Sequence, residues 1–60
     1  MNDIETIKLI NEKLIRDVVD MLGKEEAIKR YNRLKATKPE TYAYTSKGIG
    51  RDVLEYINSL

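Results

Sequence analysis

Lys47-Gly48-Ile49-Gly50-Arg51 is the stretch of this 60-residue chain whose residue types suit the grip of an anion. Two glycines let the backbone approach a ligand closely. At the start of a helix, their amides would lack internal partners and stand at the positive end of the helix dipole. Lys47 and Arg51 would add charge on either side. A second cationic group, Lys29, Arg30 and Arg33, lies upstream at helical spacing, followed by Lys35 and Lys38. Residues 27–51 thus hold seven cations against one acid, Glu40, a net +6 in a protein whose total is +1. The acids concentrate outside this block: residues 1–26 carry a net −3 and residues 52–60 a net −2. Cations interleaved with Tyr31, Tyr42 and Tyr44 suit a polyanion.

Catalysis is not expected. The chain has no histidine and no cysteine, so the commonest general base and the strongest side-chain nucleophile are absent. Acid pairs such as Asp17 with Asp20, or Glu25 with Glu26, sit among cations on polar helix faces, where a carboxylate stays solvated and ionised. The usual zinc sites need His or Cys, and no acidic loop has the spacing of a calcium-binding EF-hand. No metal, cofactor or small-molecule substrate is expected.

The elements that must position these residues read as helices. Over about 3–22, Ile4, Ile7, Ile10, Leu14, Ile15, Val18, Met21 and Leu22 recur at the spacing of one helical face. Asn2 with Glu5 has the form of a capping box, and Gly23 supplies a stop. Ile4, Ile7, Asn11, Leu14, Val18 and Met21 also fall on successive a and d positions of a heptad, with Asn11 the polar a residue that can set register in a coiled coil. Two readings follow: an ordinary core-facing helix with Asn11 near its edge, or a homodimer seam. Leu9 lies nearly opposite the stripe and is expected to be exposed.

A second helix is expected over about 24–36, with Ala27, Ile28, Tyr31 and Leu34 on its apolar side. Glu25 and Glu26 stand four residues before Lys29 and Arg30, the favourable order for ion pairs. Lys38-Pro39 ends the pattern, because the residue before a proline is pushed out of the α region. Residues 39–46 are expected to form an ordered loop, with a short strand as the alternative, since Tyr42 and Tyr44 alternate. A third helix is expected over about 48–59, with Ile49, Val53, Tyr56, Ile57 and Leu60 on one face and Thr45 or Ser46 as its cap. Gly48-Ile49-Gly50 followed by Val53, Leu54 and Ile57 resembles the second half of a helix-hairpin-helix DNA-binding motif, with Lys47 where proline is common. The resemblance covers about a dozen residues and implies phosphate contact at Gly48 and Gly50.

The fold class expected is therefore all-α: a single domain over residues 1–60, built as a small three-helix bundle with an extended loop or short strand between its second and third helices. Met1-Asn2-Asp3 lacks the features of a signal peptide and no apolar run reaches a membrane span, so a soluble cytoplasmic protein is expected. Two functions compete. The first is a non-catalytic regulator or inhibitor that docks on an acidic protein surface. The second is a low-specificity nucleic-acid binder. Both would use Lys29, Arg30, Arg33, Tyr42, Tyr44, Lys47, Gly48, Gly50 and Arg51. Protein binding leads, because no set of base-reading side chains accompanies the cations.

Overall fold

The structure, a computed structural model, describes residues 3–60. The chain runs through α1 (Asp3–Leu22), α2 (Lys24–Thr37), α3 (Pro39–Ile49) and α4 (Val53–Ser59). The all-helical class is as expected, but there are four helices rather than three. The capping role read for Asn2 lies outside the described residues.

Gly23 alone joins α1 to α2. Its N–H donates to the Val19 carbonyl at 2.8 Å, closing α1, and its own carbonyl accepts from the Ala27 amide at 3.0 Å, opening α2. A φ of 87° makes this double duty a glycine position. Lys38 does the same between α2 and α3, donating to the Leu34 carbonyl at 2.7 Å and accepting from the Tyr42 amide at 3.0 Å.

The 39–46 segment is the main correction. It is neither loop nor strand but most of α3. Pro39 does end the preceding helix, yet it also occupies the first turn of the next one, where a missing N–H costs nothing and φ is already helical. Glu40 adds an acid at the positive end of the dipole. The Tyr42/Tyr44 alternation could not distinguish the two states. Residues two apart are about 200° apart on a helix and opposite on a strand.

The expected third helix over 48–59 is divided. Gly50, at φ 70° and ψ 19°, takes the left-handed conformation that terminates α3. Asp52 then caps α4: its carboxylate Oδ2 accepts from the Glu55 amide at 3.1 Å and its carbonyl from the Tyr56 amide at 2.9 Å.

The core consists of Ile15, Ala27, Tyr42, Ile49, Val53, Tyr56 and Ile57, with Val19, Ile28, Tyr31, Leu34 and Leu54 packed around it. Five of the seven core residues come from α3 and α4, and only Ile15 from the long α1. Leu9 is exposed, as expected. The molecule is a slab, 35 × 24 × 16 Å. Among the described residues no helix is long and apolar enough to cross a membrane.

Candidate functional site

The +6 block does not form one face. Lys29, Arg30 and Arg33 come together on the flank of α2 opposite Ala27, Tyr31 and Leu34, because positions three and four apart share a helix face. They line a shallow depression with Glu26. The expected Glu25–Lys29 and Glu26–Arg30 ion pairs are not made: among the described residues the one ion pair within 4 Å is Lys8–Glu12 on α1. The like-charge crowding costs only about 0.2–0.5 kcal/mol per pair on an exposed helix, so the cations can stand together.

Two other cations are occupied within the fold. The Lys35 ammonium stands 5.4 Å from the centre of the Tyr42 ring, and the Arg51 guanidinium 5.3 Å from that of Tyr56. Each contact is worth about 0.5–1 kcal/mol at an exposed site. Arg51 thus rests against α4 while remaining exposed. Lys38 lies at the α2–α3 corner beside Glu40.

The glycines are placed differently from the anion-grip reading. Both stand at the C-terminal end of α3, the negative end of its dipole, where carbonyls rather than amides lack partners. Gly50 is the left-handed cap. Gly48 lets α1 approach α3: a Cβ there would lie 3.2 Å from the Asn11 side chain. The spacing that resembled a DNA-binding hairpin arises from helix termination and close helix packing.

Tyr42, expected to be accessible, is buried. Its hydroxyl donates to Asp52 Oδ1 at 2.6 Å and accepts from the Leu54 amide at 3.2 Å. The Ser46 hydroxyl accepts from the Val53 amide at 3.2 Å alongside. This cluster ties the middle of α3 to the first turn of α4. The Tyr42 hydrogen bond holds the Asp52 carboxyl below its usual pKa, against partial desolvation and with help from the Glu55 amide and the Lys35 charge. Burial, then the bond to Asp52, pushes the Tyr42 hydroxyl above its usual value. Asp52 was missed by sequence reasoning, which placed the cap at Thr45 or Ser46. The signal was present as Asp52-Val53-Leu54-Glu55, an acid cap followed three residues later by Glu.

Tyr44 points outward at 78% exposure. It borders an open groove of about 430 Å³ between α1 and α3, shared with Ile7, Asn11, Thr45, Lys47 and Gly48. Asn11 is half-buried, and its amide Nδ2 donates to the Ile7 carbonyl at 2.8 Å. Ile7, Ile10, Leu14 and Met21 are all more than half exposed, as is Ile4, while Val18 turns partly inward. The site residues thus fall into two separate places. Lys29, Arg30 and Arg33 stand on α2; Tyr44, Lys47 and Gly48 stand beside α1. The two depressions share no lining residue. Among the described residues no group of three or more His, Cys, Asp or Glu side chains is placed to hold a metal ion. Compared with known proteins, the chain matches no family model, no curated protein and no solved structure.

Proposed function

We propose that this chain is a small non-catalytic binding protein, a regulator or inhibitor, that docks on an acidic protein surface through the outer flank of α2. The observation that carries the reading is the convergence of Lys29, Arg30 and Arg33 on one outward face, with no acid within ion-pairing distance among the described residues. Glu26 in the same depression suits a partner of mixed charge better than a row of phosphates.

The second reading, nucleic-acid binding through segment 27–51, draws on the same cations and gives up the same contacts as the first. The amides of Gly48 and Gly50 sit at the wrong helix end, Tyr42 cannot stack on a base, and Arg51 is engaged with Tyr56. Three cations acting together would give log affinity against log salt a slope of only about −3 on duplex DNA.

Pull-down with nuclease treatment and a high-salt wash tests the choice. A stoichiometric protein partner is expected to be retained by the native chain and lost by the Arg30→Glu/Arg33→Glu variant, whose helix content by circular dichroism should be unchanged. Loss of all bound material on nuclease treatment, with salt-dependent binding to duplex DNA in its place, would favour the second reading.

A further inference from the structure

We infer that the exposed face of α1 is covered by a second copy of this chain, packed antiparallel about a two-fold axis. The first argument is area. A folded monomer of 7.0 kDa is expected to expose about 4,000 Å². This chain exposes 4676 Å², an excess of about 600 Å² over that scaling. A stable interface buries about 800 Å² per partner, so the surplus is close to one side of a dimer contact. On α1, a helix about 30 Å long, Ile7, Ile10, Leu14 and Met21 are all more than half exposed. Apolar side chains lined up along one helix face mark an interaction surface more often than side chains scattered singly do.

The second argument is register. Packing against α3 turns Asn11 and Val18 towards the core side, so the heptad that includes them is not the open seam. The seam left outside is Ile7, Ile10, Leu14, Asp17 and Met21, again alternating by three and four. A parallel pair would set Asp17 against its own copy at an inward position. An antiparallel pair sets Ile10 against the partner's Leu14, and Asp17 over the end bearing Ile7. Lys47 lines the groove beside Ile7. That arrangement brings the end carrying Lys47 over the end carrying Asp17 and Asp20, twice per dimer. The end of α1 that bears Ile7 also carries Asp3 and Glu5, so the complementary contact is the one between Lys47 and the partner's Asp17, repeated by the two-fold axis.

The chain has no cysteine, so engineered thiols report this contact without background. Sedimentation velocity of the native chain is expected to give the mass of a dimer that dissociates on dilution. Leu14→Glu lies outside the core and should be folded and monomeric. Mixing Ile7→Cys with Asp17→Cys chains under mild oxidation should give a cross-linked pair, while Met21→Cys alone should not cross-link. A native chain that is monomeric at every concentration, or a Leu14→Glu variant that still dimerises, overturns the interface. Self-cross-linking of Met21→Cys, which a parallel pair brings together and an antiparallel pair separates, overturns the register.

Discussion

Tyr42 holds two helices with one oxygen. Its hydroxyl satisfies the Asp52 carboxylate and the Leu54 amide at once, so removing it leaves two half-buried polar groups without that partner. Tyr42→Phe should destabilise the fold by about 1–3 kcal/mol, read as a lower urea midpoint with little change in helix content at neutral pH. The same pair predicts the pH limits. Asp52 has a folded-state pKa below its ordinary 3.8, so the unfolded chain binds its proton first as pH falls. Its contribution is therefore complete above pH about 4 and is lost as pH drops through the lowered value. Tyr42 runs the other way: its raised pKa leaves its contribution complete below pH about 10 and lost as pH rises through that value. Asp52→Asn should flatten the acid side of the stability profile and weaken the alkaline side to the part that burial of Tyr42 supplies, measured by urea denaturation across pH.

At the scale of elements, α3 depends on how it begins and how it ends. Gly50 sits at φ 70°, where a Cβ meets the following carbonyl. Gly50→Ala should therefore cost about 1–2 kcal/mol, seen as a lowered thermal midpoint. The sequence made the first two helices legible because each carries several turns of apolar spacing and ends at a recognisable breaker, Gly23 or Pro39. The third helix was hidden for a physical reason. Over 39–46 its inward residues are few, and proline was read as an end when it was equally a beginning. The glycine pair misled in the same way: Gly48 and Gly50 can open a helix or close one, and only the position of α3 decides. Lys29, Arg30 and Arg33 were legible as a group because their spacing alone puts them on one face of a helix. The inward turn of Tyr42 and the outward turn of Tyr44 were not, because segregation of the two does not say which side meets the core.

For the molecule as a whole, long and short helices divide the work unequally. The core is concentrated on α3 and α4, and the longest helix contributes one buried residue to it. Charge is divided too, with acids prevalent before residue 27 and cations prevalent from 27 to 51. The fold then separates those cations into engaged and outward-facing ones. Lys35 and Arg51 rest on tyrosine rings, while Lys29, Arg30 and Arg33 face solvent on the flank of α2. A self-pairing α1 would carry two such α2 flanks in one particle, and a partner with repeated acidic sites would be held by both.

The one-residue joints at Gly23 and Lys38 bear on how the chain reaches this state. Closing a loop costs entropy that grows with its length, and here two of the three helix connections have almost no length to close. The α1–α2 and α2–α3 neighbours can therefore meet as soon as their joint bends. The search that remains is the packing of helices that are not neighbours along the chain, α1 on α3 and α2 on α4, which is as extensive as the packing across the joints.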